Sequence, residues 1–247
     1  SLFYTEINDP ESTLPSGLNG ISVKRLKNKL GTRALPTAEL ELCGLKAELL
    51  GEVGQGVKTI SALLNITRVY NSVCAVSHMH RCLLWLKAYS EVRVVFGKRL
   101  SEQPLFKNSF ESLQQTVRNC LHLTFTTGLL LGKDESGLAT PAEKQWLRVL
   151  TPVTKLFTAK CCVRVCSEAL EGMGGLGYIE DFPMARFFRD AQVFSIWEGT
   201  TSVLSLDFLR AFNKEGGQSL IDSPDVFRLD TPYLSRFKTE LGKATTP

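Results

Sequence analysis

The sequence has few features of a disulfide-stabilised or metal-binding protein. Its seven cysteines are an odd number without a Cys-x-x-Cys pair, and Cys161, Cys162 and Cys166 are too close together for a disulfide framework. We therefore expect free thiols in a reducing intracellular compartment, either the mitochondrial matrix or the cytoplasm. His78 and His80, two of only three histidines, stand two residues apart and point in different directions on a helix. We expect no metal site.

Long apolar runs and a strong charge of one sign are also missing. No run approaches the roughly 20 residues that a membrane-spanning helix needs, so we expect no membrane partner. The first ten residues, SLFYTEINDP, lack the basic and apolar regions of a signal peptide. Because the chain begins with Ser, we expect a processed or excised piece. The net charge of +4 is too small for the dense positive field of a dedicated nucleic-acid-binding protein.

The first fifty residues carry short segments that are typical of β-strands. LFYTEI is rich in aromatic and β-branched residues, and the segments that begin ISVKRL and TAELEL alternate apolar with polar side chains. DPESTLPSG, with two prolines and a glycine, is typical of a turn. We therefore predict three antiparallel strands, each with one buried face, in a partial middle β-domain over residues 1–52.

A helical pattern begins after GEVGQG. Residues 57–92 contain neither Gly nor Pro and place apolar side chains at helical spacing, which predicts one long helix. Similar patterns predict further helices over residues 105–131, 140–171, 183–190 and 200–213.

The start of the third helix carries a capping signal. Thr140 is typical of an N-cap, Pro141 of the first helical position and Glu143 of the third, which together form a capping box. Long helices joined by short loops indicate a four-helix bundle over residues 53–213. The polar stretch 214–247 is predicted to be a tail. The expected fold class is therefore mainly α, with a short antiparallel β segment before the bundle.

Several motifs follow one another in a characteristic order. They are KLGTRA, LLGEVGQG, RVVFGKRL, GMGGLGY, RFFRD and SIWEGT. In this order they resemble the acyl-CoA dehydrogenase flavoprotein family, from the end of its middle β-domain through its C-terminal helical domain. SIWEGT, LTPVTK and SEQPL are most similar to the alkylation-response (AidB-like) branch. The resemblance covers the chain from about residue 1 to 213.

Glu198 has two interpretations. Taken alone, it is an acid near a predicted helix start, where the helix dipole favours it by about 0.3–1 kcal/mol. The resemblance implies instead that Glu198 is the catalytic base in the α,β-desaturation of acyl-CoA thioesters. A carboxylate can serve as such a base only where desolvation holds its pKa several units above the value of about 4 in water. Ile196 and Trp197 are expected to supply the apolar surround, and Gly199 to let the backbone approach the substrate.

The long helix supplies no second base. Some members of the family carry the base there, beside an Arg, but this chain has Thr67 before Arg68. Glu198 is therefore the only candidate of either kind. The resemblance places Arg68 near the substrate cavity, while the residue alone is equally well explained as a partly buried salt-bridge residue.

The resemblance also implies FAD as the cofactor, whose pyrophosphate needs positive charge and backbone N–H donors. Arg93 and Phe96 are implied at its phosphate and adenine end, often from a neighbouring subunit. Gln103 stands one residue out of the commoner family register. The residues that the resemblance assigns to FAD are Arg93, Phe96, Gln103, Gly174, Gly175 and Thr200.

The partners implied by the resemblance are an acyl-CoA substrate, a second copy in a homodimer or homotetramer, and an electron-transferring flavoprotein as a candidate acceptor. The family's helical N-terminal domain and its flavin-binding Gly-Ser-Asp segment have no counterpart in the sequence. Two explanations are open: the upstream half lies on another chain or outside the given sequence, or the chain is a degenerate, non-catalytic family member that acts as an oligomerising interaction module. DNA binding, implied for the AidB-like branch, is less expected because basic and acidic residues balance in the tail after residue 213.

Overall fold

A computed structural model describes residues 1–9, 11, 17–214 and 217. The protein is mainly α, as predicted. Its helices are α1 (Gly56–Val92), α2 (Pro104–Glu135), α3 (Pro141–Gly172), α4 (Gly175–Tyr178), α5 (Met184–Ala191) and α6 (Thr201–Lys214), with 3₁₀ turns at Leu100–Glu102 and Gln192–Ser195. Its strands are β1 (Leu2–Tyr4), β2 (Ile21–Leu26), β3 (Ala38–Leu42), β4 (Glu48–Leu50), β5 (Val94–Val95) and β6 (Lys98–Arg99).

The five predicted helices are all present, and their bounds agree with the sequence pattern to within four residues. The capping box of α3 is confirmed: the Glu143 backbone N–H donates to Thr140 Oγ1 at 3.3 Å, and the Thr140 N–H donates to Glu143 Oε2 at 2.9 Å. An N-cap of this kind stabilises a helix by about 1 kcal/mol. The single-turn helix α4 was not predicted.

The three long helices form the main core of the bundle. Cys82 Sγ of α1 lies 3.5 Å from Cys166 Sγ of α3, and Leu86 of α1 lies against Gly172 at the end of α3. Helices α1 and α3 therefore run parallel. The buried residues of this core come from α1, α2, α3, α5 and the residue after α3, and include Ala75, Val76, Met79, Leu83, Leu113, Val117, Val165, Ala169, Met173 and Met184.

A second, smaller apolar cluster joins α6 to the first half of α3. Its buried members are Trp146, Val149, Leu150, Ala211 and Phe212. Helix α6 is thus the fourth helix of the bundle.

A buried polar band lies between the two apolar clusters along α3. It comprises Ser72, Thr124, Thr127, Thr151, Thr154, Lys155 and Thr158. The hydroxyls of Thr127 and Thr154 lie 2.7 Å apart and share a hydrogen bond between α2 and α3. Buried polar groups are usually hydrogen-bonded, and the hydroxyls of Ser72, Thr151 and Thr158 bond carbonyls of their own helices. The Thr124 hydroxyl is the exception, since it has no hydrogen-bond partner among the described residues. The band therefore marks the part of the bundle where polar chemistry is concentrated.

The first fifty residues form two small antiparallel pairs, β1 with β4 and β2 with β3. The three predicted strands are present, and β4 was missed. The expectation that each strand buries one face is wrong: Ile21 is the only buried residue of β2, and Leu40 and Leu42 of β3 are more than half exposed. Alternation of apolar and polar residues indicates that one face of a strand is able to pack against another layer. The described residues provide no such layer over these strands.

Gly31 and Thr32 attach this β segment to the bundle. The Thr32 backbone N–H donates to Asp190 Oδ1 at 2.5 Å, next to the end of α5. A Cβ atom at Gly31 would lie 2.6 Å from the Arg189 carbonyl oxygen, so only glycine permits this approach. The division into domains at residues 52 and 213 stays a prediction.

A two-residue hairpin joins α1 to α2. Its strands β5 and β6 pair directly around Phe96 and Gly97, whose φ angles of 48° and 77° are both left-handed. That geometry is typical of a type I′ turn, which favours Asn-Gly over Phe-Gly. The aromatic residue is therefore held in a strained position at the tip of an exposed turn.

Within the described residues, no helix is long and apolar enough to cross a membrane. The described part of the chain also holds no group of three or more His, Cys, Asp or Glu side chains placed to bind a metal ion. The predicted tail, with the basic and acidic residues weighed for DNA binding, lies outside the described residues apart from Lys214 and Gly217.

Candidate active site

Glu198 lies in a strained turn immediately before α6. Its φ angle is 60° and that of Gly199 is 109°, so two consecutive residues are left-handed. The Thr200 carbonyl then accepts from the Leu204 N–H at 3.0 Å and starts α6. A left-handed conformation costs a residue with a side chain roughly 1–2 kcal/mol, and it persists only where the surroundings hold it. An ordinary acid at a helix start has no need of this geometry.

The hydroxyl of Thr67, on α1, holds the Glu198 carboxylate. Thr67 Oγ1 donates to Glu198 Oε2 at 2.8 Å. The carbonyl oxygens of Leu63 and Leu64 lie at 3.1 and 3.2 Å from the same hydroxyl, but a hydroxyl has only one proton to donate. The charged carboxylate is the nearest and strongest acceptor. The residue that stands where some relatives carry a base thus contacts the base candidate directly.

Two cationic side chains hold the backbone of the same turn. Arg68 Nε donates to the Glu198 carbonyl oxygen at 3.3 Å, and Lys155 Nζ donates to the Gly199 carbonyl oxygen at 2.6 Å. Lys155 is fully buried. Burial, followed by the charge of Arg68, lowers the pKa of Lys155 from 10.5 to about 8, although the Glu198 charge acts in the opposite sense. Consecutive carbonyls are therefore fixed from α1 and from α3.

Asp207 of α6 connects three helices through two arginines. Arg68 Nη1 donates to its Oδ2 at 2.7 Å, and Arg148 Nη2 of α3 donates to its Oδ1 at 2.5 Å. Burial raises the pKa of Asp207, but the hydrogen bonds and charges of Arg148 and Arg68 together outweigh burial and leave that pKa lowered. Arg68 is therefore a partly buried salt-bridge residue that also lies beside Glu198. Its assignment to the substrate cavity stays a prediction.

The expected apolar surround of Glu198 is not formed by its neighbours. Ile196 is 60% exposed and Trp197 is 46% exposed. The 3₁₀ turn before them ends with the Ile196 and Trp197 N–H groups both bonded to the Val193 carbonyl, and the chain then bends so that both side chains face outward. In this chain they do not exclude water from Glu198.

The residues that the resemblance assigns to FAD fall into two separate groups. Thr200 lies beside Glu198, whereas Arg93, Phe96 and Gln103 surround the hairpin at the far end of α1. At 1.5 Å per residue, the 25 positions from Arg68 to Arg93 span about 38 Å. The ring of Phe96 is 99% exposed, and Gln103 Nε2 donates to the Val95 carbonyl at 2.9 Å, which secures the hairpin.

Gly174 and Gly175 follow the end of α3, at the hairpin end of the bundle. Gly174 has a φ of 59° and a ψ of −142°, a combination that only glycine adopts readily. A Cβ atom at either glycine would meet no atom within 4 Å. Backbone conformation therefore requires the glycine at position 174, while this surface has room for a contacting group. The assignment of the two glycines to FAD stays a prediction.

Lys155, Arg148 and Asp207 belong to the site although the sequence did not single them out. Lys155 had a signal, because it occupies the last position of LTPVTK and falls in the same helical stripe as the buried Thr151 and Thr158. No sequence signal pointed to Asp207 and Arg148, since their pairing depends on how α3 and α6 pack.

The helical bundle has the fold of an acyl-CoA dehydrogenase C-terminal domain. The family model for the acyl-CoA dehydrogenase C-terminal domain matches residues 54–212. The chain belongs to the acyl-CoA dehydrogenase family.

Curated relatives agree with this assignment. The chain is 46% identical over 213 residues to acyl-CoA dehydrogenase family member 11 of Caenorhabditis elegans, which covers 86% of this chain and 34% of the relative. It is 34% identical over 207 residues to the putative acyl-CoA dehydrogenase AidB of Escherichia coli, covering 83% of this chain and 37% of the relative. The chain thus spans little more than a third of the length of either relative.

A solved structure shares the fold. The C. elegans protein ACDH-11 in complex with C11-CoA superposes with a TM-score of 0.83 at 44% identity, over 90% of this chain and 38% of the other.

Proposed function

We propose that this chain forms the base-carrying part of an FAD-dependent acyl-CoA dehydrogenase, with Glu198 as the catalytic base. The observation that carries the proposal is the held, left-handed geometry of Glu198, whose carboxylate is bonded to Thr67 at 2.8 Å. Strain at a single acid, sustained by contacts from two other helices, is typical of functional sites. The complex of the similar C. elegans protein with C11-CoA supports an acyl-CoA thioester as the substrate.

The reaction removes a proton from the α carbon and a hydride from the β carbon of the thioester. Thr67 occupies Oε2 of Glu198, so Oε1 is the atom that takes the α proton. The Thr67 hydroxyl fixes the orientation of the carboxylate toward the reacting carbon. FAD, when bound, supplies the hydride acceptor.

Exclusion of water from Glu198 must come from outside this stretch of chain. Ile196 and Trp197 are exposed, and Glu198 itself is half-buried. We propose that the acyl chain and the remaining part of the family fold cover the turn during reaction, because desolvation is what makes a carboxylate an effective base.

The residues present fit FAD only if two copies of the chain share it. About 38 Å along α1 separates the Glu198–Thr200 turn from Arg93 and Phe96, which exceeds the reach of one dinucleotide. We propose that Thr200 of one copy meets the flavin end, and that Arg93 and Phe96 of a second copy meet the phosphate and adenine end. This arrangement requires a homodimer or homotetramer. An electron-transferring flavoprotein is proposed as the acceptor.

Visible absorbance and acyl-CoA turnover test the proposal. The chain is purified alone and after co-expression with the N-terminal half of an acyl-CoA dehydrogenase, and each preparation is assayed with acyl-CoA and an artificial electron acceptor. The proposal expects flavin absorbance and desaturation in the complemented preparation, and loss of desaturation on Glu198→Gln. A folded, colourless and inert complemented preparation would overturn it and favour a non-catalytic oligomerising module.

A further inference from the structure

We propose that Lys155 is a positioning residue that holds the Glu198–Gly199 turn in its left-handed form. The inference rests on the proposed role of Glu198 as base, but it concerns a residue that acts through the backbone rather than on the substrate. Its basis is the juxtaposition of a fully buried ammonium group and the Gly199 carbonyl, 2.6 Å apart.

Burial of the Lys155 ammonium group costs folding free energy. It lies in the polar band of α3, and its hydrogen bond goes to a neutral carbonyl rather than to a carboxylate. Asp207 on the neighbouring helix bonds Arg68 and Arg148 instead. Burial of a charge without an ionic partner costs free energy, and even complete buried ion pairs are often replaced by apolar side chains without loss of stability. A stability role is therefore a poor explanation for the lysine at this site.

The Lys155–Gly199 hydrogen bond lies at the left-handed part of the backbone. Glu198 and Gly199 are the two consecutive left-handed residues, and each contributes one carbonyl to a cation. Arg68 reaches the Glu198 carbonyl from α1 and is itself fixed by Asp207. Lys155 reaches the Gly199 carbonyl from α3. The turn is thus held by one hydrogen bond from α1 and one from α3.

Loss of the Lys155 clamp has a predictable consequence. The left-handed conformation of Glu198 costs roughly 1–2 kcal/mol. A free-energy difference of that size changes the ratio of left-handed to right-handed turns by about 5- to 30-fold. Without the bond to Gly199, the turn relaxes toward right-handed φ values, and the carboxylate leaves the position set by Thr67. The turn then spends less time in the geometry that presents Oε1 to the substrate, so kcat falls while substrate affinity is retained.

Hydrogen–deuterium exchange on this chain tests the clamp without any activity. Lys155→Met keeps the side-chain length and removes the donor, and Lys160→Met removes an exposed lysine from the same helix as the control. We expect the Leu204 amide, which donates to the Thr200 carbonyl at the start of α6, to exchange about 5- to 30-fold faster in Lys155→Met, and at the wild-type rate in Lys160→Met. Unchanged exchange in Lys155→Met overturns the proposal.

Kinetics on the flavin-loaded, complemented protein give the second readout. Lys155→Met is expected to lower kcat per bound flavin by about 5- to 30-fold, with KM for acyl-CoA unchanged. A normal kcat despite faster exchange overturns the positioning role. If the complemented wild-type protein is inactive, the proposed function is contradicted. The exchange experiment then still tests whether Lys155 holds the turn. If Lys155→Met does not fold, ¹⁵N-lysine NMR of the wild type decides: one solvent-protected Nζ signal supports the bond, and its absence refutes it.

Discussion

Thr67 and Glu198 are 131 positions apart in the chain, and their side chains meet in a hydrogen bond of 2.8 Å. By resemblance, family members carry the base at one or the other of these two places. The contact shows that both places border the same small volume. Under the proposed function, a base at either place would reach the same carbon, and the Thr67 hydroxyl supports the Glu198 carboxylate.

Removal of that support is expected to slow catalysis. Thr67→Val keeps the side-chain shape and deletes the donor, and hydrogen bonds to charged groups contribute about 1.5–3 kcal/mol when buried. Because Glu198 is only half-buried, we expect kcat to fall by about 3- to 10-fold. Steady-state kinetics check this against Thr59→Val, an α1 threonine that bonds only its own helix at the Gln55 carbonyl. Equal rates for both variants would remove Thr67 from the mechanism.

The stability of the protein should depend on pH through Lys155. Its pKa is lowered from 10.5 to about 8 in the folded chain, so between these values the unfolded chain binds a proton that the folded chain does not. Wild-type stability therefore rises with pH across this window, by at most about 1.4 kcal/mol per pH unit from this group. Below pH 8 both states carry the proton and the contribution is flat.

Urea unfolding at several pH values measures this slope. Lys155→Met lacks the titrating group, so the difference in unfolding free energy between wild type and variant should change between about pH 8 and 10.5. Lys160→Met removes the smallest of the effects that lower the Lys155 pKa, so it should retain most of the wild-type slope. Parallel curves for wild type and Lys155→Met would show that the lysine is not buried as described.

Asp207→Asn should destabilise the bundle. The variant leaves Arg68 and Arg148 without their shared carboxylate, and breaking a buried ion pair costs about 3–5 kcal/mol. Since Arg148 is partly exposed, we expect about 2–4 kcal/mol, measured by denaturant unfolding. Asp134→Asn, which breaks a surface ion pair with Lys144, should cost less than about 1 kcal/mol.

The Asp207 effect also has a defined pH dependence. Because the folded-state pKa of Asp207 is lowered, its stabilising contribution is present above the unfolded value of about 4 and is lost as pH falls through the folded value. The wild-type advantage over Asp207→Asn should therefore disappear in acid. An advantage that persists unchanged at low pH would contradict the ion-pair explanation.

Gly31→Ala should detach the β segment from the bundle. The added methyl group would lie 2.6 Å from the Arg189 carbonyl, and neither backbone can move away cheaply. We expect a lower melting temperature and faster proteolysis within residues 1–50. Gly132→Ala is the matched control, because its Cβ meets nothing within 4 Å inside α2, and it should stabilise the protein by about 0.5–1 kcal/mol. Similar behaviour of both variants would argue against the docking contact.

The helices were predictable because their signals are local. The capping box at Thr140 and Glu143 and the long run without Gly or Pro in α1 depend only on neighbours in sequence. The Phe96–Gly97 turn was expected between the two helices, but its flanking strands β5 and β6 were missed because Phe is not a usual residue in a two-residue hairpin turn. The exposure of Leu40 and Leu42 was missed because period-two alternation does not say what lies over a strand.

The site was predictable only in part. Resemblance singled out Glu198, and its strained geometry agrees with an unusual role. Lysine is usually a surface residue. The only sequence signal for burial of Lys155 was its position on the same helical face as Thr151 and Thr158. The contacts of Arg68 and Arg148 with Asp207 join positions 139 and 59 residues apart, so they follow from packing rather than from sequence.

The most direct measurement is anaerobic reduction of the flavin by acyl-CoA in the complemented protein, followed by stopped-flow absorbance. Glu198→Gln keeps an oxygen that accepts from Thr67 but cannot take a proton, so flavin content should be retained. General bases contribute about 100- to 10,000-fold in rate, and we predict rapid bleaching in the wild type with a loss of that size in Glu198→Gln. Bleaching at the wild-type rate in Glu198→Gln would contradict the assignment of the base.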